Sequence, residues 1–538
     1  MNRNASLRAR LLIAAGAFLV SGAAFAAQPL FLGPAQVQAK SVSADTAGKL
    51  AARPAATSLR ALRADASVVS AQNAEIGLDL GLNNVTAVLE KATANTDGSL
   101  TWIGHVRETS KARTMTAREV RHDESNSVIL VRHGQGVTGN VRVNGQLYRI
   151  RPLPDGSHAV IEVNERAMPP DHPAAFRDLP QINMAAPSGM MTAQAIDPGA
   201  TATIRVLVVA TNAAVTAYGG DMQALAQLAV AESNQGYVNS NVGINMELAG
   251  YTAVTYSEQG MSTDLSRFRG TSDGYMDTIH ALRDSTAADV AVLIGNDSSA
   301  CGLASGIGST ATTAFATAYW DCATGYYSFA HEIGHLQSAR HDPATDPSTS
   351  PYAYGHGYRA PNNAWRTIMA YDCTSGCPRL NYWSNPDVTY QGVAMGTAAT
   401  SHNQRVLVNT KATVAAFRGG STGGGTQTYS NATDYTISDN ATVDSPITVS
   451  GRTGNAPTNA SINVNIVHTY RGDLKVDLVA PDGTLYNISN RAGGSADNLV
   501  GTYTKNLSSE ALNGVWKLRV NDNAAGDTGY INSWSITF

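Results

Sequence analysis

The eleven residues His-Glu-Ile-Gly-His-Leu-Gln-Ser-Ala-Arg-His, from His331 to His341, constrain this chain more than any other feature. His331 and His335 are four apart, so a helix stacks them one turn apart on one face. Glu332 then lies about 100° around the same helix. His341 comes too late for that face to present it. If the helix stops after about Ser338 and the chain folds back, His341 joins the other two. Any fold must therefore supply a helix, an abrupt stop and a return within this short stretch.

Three neutral imidazoles converging in this way form a ligand set for Zn²⁺ with one position left for water. The ion lowers the pKa of that water towards ~7. Glu332 stands where it can take the water's proton during attack on a carbonyl and return it to a leaving amine. The residues point to a hydrolase. A metal-free reading would leave four ionisable side chains on one short helix without a role. The remaining histidines carry no such pattern, and His356 in "YGHGY" reads as loop support.

At 538 residues the chain exceeds one ordinary core, and roughly three to four domains are expected. Apolar content of 43% and charged content of 15% describe a globular protein. A net charge of −4 without a basic block argues against a nucleic-acid partner and against a polybasic membrane patch. Arg3, Arg8 and Arg10 precede an apolar run from Leu11, which closes with Ala24-Phe25-Ala26. That is the pattern of a secretory signal peptide over residues 1–26. The expected destination is extracellular, through a bacterial periplasm, with no membrane association after signal cleavage and a monomeric product.

Cys301, Cys322, Cys373 and Cys377 are the four cysteines. In an oxidising compartment they read as disulfides, with three connectivities open. Cys301–Cys322 with Cys373–Cys377 is favoured, because the second pair closes a tight "CTSGC" loop; a thiolate metal site is the rival reading.

Residues 27–196 begin rich in Ala and Ser and carry β-like runs such as "SVILVRH" and "HAVIEV", with Asn144-Gly145 as a hairpin turn. They read as a β-rich pro-region. From about Thr201 strands and helices alternate. "TIRVLVVAT" and "ADVAVLIG" are buried strands, "DMQALAQLAVAESNQGYVNSNV" is a helix, and "SDGYMDTIHALRD" is a helix begun by Ser272 or Asp273. "TAFATAYW" is a strand leading directly into the histidine helix. This alternation predicts an α/β layer with a mixed, mostly parallel sheet over residues 197–418. The Gly/Ser run 419–427 is a linker. Beyond it, residues 428–538 alternate Leu474, Val476 and Leu478, then Trp516, Leu518 and Val520, then Trp534, Ile536 and Phe538, as in an all-β sandwich or jelly roll.

The histidine pattern, followed by "RTIMAYDC", resembles the signature of the metzincin clan of zinc endopeptidases. The resemblance implies a metzincin-type catalytic domain with an active-site helix, Met369 as an apolar floor beneath the ligands, and Tyr371 as a donor to the oxyanion. That clan normally has Gly where this chain has Ser338, whose backbone geometry Gly accepts more cheaply. More narrowly, "HEIGHLQSARHD", "YGHGYR", "TIMAY" and "CPRLNYWSNPDV" resemble the secreted bacterial peptidyl-Asp metalloendopeptidases. Protein or peptide substrates cut before Asp are then implied. A cationic pocket must follow, with Arg379 as first candidate for the carboxylate and Arg366 as second. "HTYRGDLKVDLVAPDGT" and "NGVWKLRVNDNAAGDTGYINSWSITF" resemble the P (Homo B) domain of proprotein convertases. This implies a jelly-roll sandwich and a possible Ca²⁺ site among Asp473, Asp477, Asp522 and Asp527.

An exported protease must stay latent, and the pro-region, lacking cysteine, has no thiolate to offer. Asp171 or His172 in "PPDHP" is the expected plug, making the propeptide its own inhibitor. Cleavage before Asp would make Ile196–Asp197 a self-processing bond. Two alternatives stand beside this reading: a zinc endopeptidase of broad specificity, and a catalytically decayed exported binding or adhesion protein.

Overall fold

The structure is a computed structural model and describes residues 27–107, 123–174, 176, 179–182, 184, 199, 201–418, 428–449 and 455–538. The signal-peptide segment, the Ile196–Asp197 bond and the 419–427 linker lie outside the described residues. No helix among the described residues is long and apolar enough to cross a membrane.

The N-terminal region is a ten-stranded sheet. From Glu75–Asp79 to His158–Val163 each strand pairs with the next antiparallel one, and Ala56–Ala64 returns beside the last. Asn144 and Gly145 take φ of 49° and 87°, the mirror-image turn that a two-residue hairpin between Gly136–Val143 and Gln146–Pro152 requires. Successive side chains face opposite sides of a strand. Trp102, Val128 and Leu130 accordingly join the sheet's own core, while Ile103, Ile129 and Val131 meet Ala224, Leu228 and Ala231 of the helix Met222–Asn239.

The same sheet grips the loop that enters the histidine helix. Arg149 donates to the Asp321 carboxylate and carbonyl at 2.6 Å each, Arg151 to Thr324 Oγ1 at 3.1 Å, and Arg142 to the Gly325 carbonyl at 2.7 Å.

The central region is a five-stranded sheet in the order Ile244–Val254, Ala202–Thr211, Val290–Gly295, Phe315–Tyr319, Gly302–Ala304. The first four strands are parallel and Gly302–Ala304 is an antiparallel edge. The mixed, mostly parallel sheet is as expected. The run Val206–Ala210 is buried on both faces, which is why it reads as continuous apolar sequence instead of an alternation.

Two local expectations fail. The helix anticipated from Ser272 or Asp273 begins at Thr278. Asp273 accepts from Tyr275 N and Asp277 from Gly274 N, so these carboxylates stabilise turns in place of helix. The strand Phe315–Tyr319 does not lead directly into the histidine helix. A short helical turn, Trp320–Ala323, intervenes, and Tyr327 at φ 62° reorients the chain.

The C-terminal region pairs all its strands antiparallel in two sheets. Thr442–Val449, Gly514–Asp522, Leu474–Val479 and Leu485–Asn490 form one. Strands led by Ala460–His468 and Gly529–Thr537 form the other. Val476, Leu518, Trp516, Ile462, Val464 and Ile536 from both sheets share one core.

Candidate active site

The histidine helix spans Ser328–Leu336. It stops through nested bonds, Ser338 N to His335 O at 2.8 Å and Ala339 N to Gly334 O at 2.9 Å, with Ser338 left-handed at φ 74°. That is a Schellman ending with Ser at the position that Gly normally takes. The chain then returns: Arg340 N donates to Gly355 O at 2.7 Å, and the His341 carbonyl accepts from His356 Nδ1 at 2.8 Å. His356 therefore supports the loop.

The return brings His341 Nε2 to 2.9 Å from His335 Nε2 and 3.2 Å from His331 Nε2. Nδ1 of His331 faces the Ile368 carbonyl and Nδ1 of His335 the Ala339 carbonyl, each at 2.8 Å. A carbonyl only accepts, so each Nδ1 carries the proton and each Nε2 presents a lone pair to the common point. Burial holds all three imidazoles neutral, pulling His335 down to about 4 and His331 and His341 well below their ordinary value. Nitrogen lone pairs converging in a dry site repel one another unless a cation lies between them. The donor set fits a zinc ion.

Glu332 lies beside this point, and burial pushes its carboxyl up to about 8. Gly302 on the edge strand makes room for it: a Cβ there would lie 2.7 Å from Glu332 Cδ. Met369 is fully buried under the helix, where a Cβ at Gly334 would come within 3.0 Å of its Sδ. The Tyr371 ring lies 4.5 Å from that of His341.

A fourth histidine completes the cluster. His172, from the N-terminal region, sits with ring centroid 4.7 to 5.1 Å from those of His331, His335 and His341. Its Nε2 is 3.0 and 3.2 Å from the two oxygens of Glu332, and its Nδ1 is 3.0 Å from the Tyr371 hydroxyl. One residue away, Asp171 is held by both candidate arginines, Arg379 at 2.5 Å and Arg366 at 3.4 Å. Burial opposes ionisation of Asp171, and the two guanidinium groups outweigh it, keeping the carboxyl below its usual range. Both arginines are buried rather than superficial, at 2% and 1% exposure.

Known proteins give this arrangement its kinship. A chain named peptidyl-Asp metalloendopeptidase from Stenotrophomonas maltophilia K279a is 59% identical over 404 residues, covering 74% of this chain and 96% of that one. One of the same name from Xanthomonas campestris is 56% identical over 405 residues, with the same coverage. The chain belongs to the peptidyl-Asp metalloendopeptidase family. A profile for metallo-peptidase family M12 matches residues 200–384, and one for the proprotein convertase P-domain matches residues 457–538. Leupeptin-inactivating enzyme 1 of Streptomyces exfoliatus is 68% identical over 114 residues, 21% of this chain and 26% of that one.

In this metalloendopeptidase the disulfides join Cys301 to Cys322 and Cys373 to Cys377. The first ties the edge strand to the turn before the histidine helix. The second adjoins the arginine pocket, where Arg366 Nε donates to the Cys377 carbonyl at 3.4 Å.

Sequence reasoning missed Tyr326. Its hydroxyl accepts from Arg366 at 2.8 Å, its carbonyl accepts from Arg379 at 2.9 Å, and its ring lies 4.5 Å from the Arg379 guanidinium carbon. A tyrosine in "GYYSF" carries no pattern that would have singled it out.

Among the described residues, no three of the aspartates suggested for calcium bring their carboxylate oxygens together as a metal-holding group. Asp477 pairs with Lys475 and Asn487, Asp527 accepts from Thr469, Asp522 faces His468, and the Asp473 carbonyl accepts from Asn523 N beside Asp522. Among the described residues the histidine cluster is the group of three or more His, Cys, Asp or Glu side chains arranged to hold a metal.

Proposed function

We propose that the protein is an exported, zinc-dependent endopeptidase that hydrolyses the peptide bond on the N-terminal side of Asp and is made as a latent precursor. Residues 27–196 would be the propeptide, 197–418 the catalytic domain and 428–538 a jelly-roll P domain. The observation that carries this reading is the Asp171 carboxylate held by Arg379 and Arg366 one residue from the histidine cluster. A substrate aspartate there would put the preceding peptide bond within reach of Glu332.

His331, His335 and His341 would hold the zinc ion, which supplies polarisation of the scissile carbonyl and acidification of a water. Glu332 takes the proton from the attacking water and passes it to the departing amine. Tyr371 turns its phenol toward the developing oxyanion, and Met369 gives the ligands an apolar floor. Arg379 and Arg366, stacked on Tyr326, bind the substrate carboxylate as a preformed cationic fork.

The test is mass-spectrometric mapping of cuts in a denatured protein mixture by the mature enzyme and by Glu332→Gln. Cuts before Asp, reduced at least ~10²-fold to 10⁴-fold in the variant, are expected. Cuts without acidic preference would leave a zinc endopeptidase of broad specificity. No cuts from folded, zinc-loaded enzyme would favour the binding-protein alternative.

A further inference from the structure

We propose that the N-terminal region keeps the enzyme latent by entering the aspartate pocket backwards, with Asp171 standing in for the substrate's aspartate and His172 capping the histidine cluster. The proposal rests on the reading of Arg379 and Arg366 as the substrate-aspartate pocket.

Direction is the decisive feature. For cleavage before Asp, the residue preceding Asp must bring its carbonyl to the cluster and to Glu332. Here the preceding residue turns away: the Pro170 carbonyl accepts from Cys301 N at 2.8 Å, and the Asp171 carbonyl from Gly302 N at 3.2 Å. The residue that reaches the cluster is the following one, His172. The chain then runs on in the same sense as the edge strand. Ile307 N donates to the Pro180 carbonyl at 3.0 Å, Ile182 N donates to the Ile307 carbonyl at 2.8 Å, and Gln181 bridges Ile307 in parallel. Residues 170–171 at positions 301–302 and 180–182 at 307 share one polarity.

With Asp171 in its pocket, this polarity leaves no scissile carbonyl at the cluster. An imidazole takes that place, and both oxygens of Glu332 face His172 Nε2. Phe176 closes the other side, its ring 5.5 Å from His172 and 5.0 Å from His341. Pro169, Pro170 and Pro173 flank the pair, restricting the backbone on both sides and lowering the entropy lost on binding. The segment thus uses the specificity pocket for affinity while presenting nothing to cut. Latency and aspartate specificity are two uses of the same arginines.

The experiment adds synthetic peptides covering residues 168–182 to mature enzyme assayed on an Asp-containing substrate. The native peptide should inhibit and remain uncut. Asp171→Asn and His172→Ala peptides should each bind at least tenfold more weakly. Exchanging the pair, Asp171→His with His172→Asp, should turn the peptide into a substrate cut between positions 171 and 172. In the full-length precursor, Asp171→Asn and His172→Ala should raise activity before processing by at least tenfold. An enzyme that cuts before Asp yet ignores the native peptide, or cleaves it readily at Pro170–Asp171, overturns the proposal and leaves the functional reading standing. An enzyme without Asp preference removes both.

Discussion

Arg379 is where specificity can be tested one side chain at a time. Its guanidinium is buried, fixed by the Tyr326 carbonyl and closest to the Asp171 carboxylate. Removing one partner of a buried charge pair costs about 2–5 kcal/mol. Arg379→Ala should therefore lower kcat/KM for Asp substrates by roughly 30-fold or more while changing turnover of an Asn analogue little. Arg366→Ala should do less, because Arg366 stands farther from the carboxylate and spends other hydrogen bonds on the Ala370 carbonyl and Tyr326. Equal losses on Asp and Asn substrates would assign both arginines to structure. The histidine triad was legible in the sequence because His331 and His335 stand at helical spacing and His341 follows within a short return. The arginine partner was legible only through resemblance, since Asp171 is 208 residues from Arg379 and no local pattern joins them.

At the scale of elements, the ending of the histidine helix is the strained point. Ser338 holds φ 74° and its buried hydroxyl has no hydrogen-bond partner. A left-handed non-glycine residue costs about 1–2 kcal/mol, partly offset by the extra freedom glycine brings to the unfolded chain. Ser338→Gly should raise the Tm of the mature enzyme by about 2–4 °C without altering kcat/KM. A lower Tm would show that the hydroxyl contributes more than the backbone costs. The sequence pattern located this ending near Ser338, and the helix stops two residues earlier, at Leu336. It misjudged the approach to the same helix. The turn Trp320–Ala323 and the loop to Tyr327 are shaped by Arg142, Arg149 and Arg151 from another sheet, and no residue within the loop announces that grip.

Across the whole molecule, the N-terminal and central regions meet over buried charge, and Glu232 makes that contact sensitive to pH. Burial pushes its carboxyl up to about 7, which hydrogen bonds from Asn140 and Gly325 N only partly oppose. A carboxyl whose folded pKa is raised binds its proton more tightly when folded. Its contribution is therefore full below about pH 4.5, falls as pH rises, and is gone above about 7. The loss is on the order of 3 kcal/mol. Glu232→Gln, which keeps an acceptor for both donors, should flatten the decline in precursor stability between pH 5 and pH 8 measured by denaturant unfolding. Identical slopes in wild type and variant would show that Glu232 does not titrate in this range.

By itself the sequence determined what local periodicity controls: the helix carrying His331, Glu332 and His335, the buried parallel strands, and the alternating faces of the C-terminal sheets. These follow from 3.6- and 2-residue repeats, which neighbouring side chains enforce. Only the tertiary structure decided which distant groups share a dry site. It joined Asp171 to Arg379 and Arg366, aimed the Ile368 carbonyl at His331, and stacked Tyr326 beneath the arginines. Pairing of this kind depends on how whole sheets dock, and a buried charge takes whichever partner that docking brings within reach.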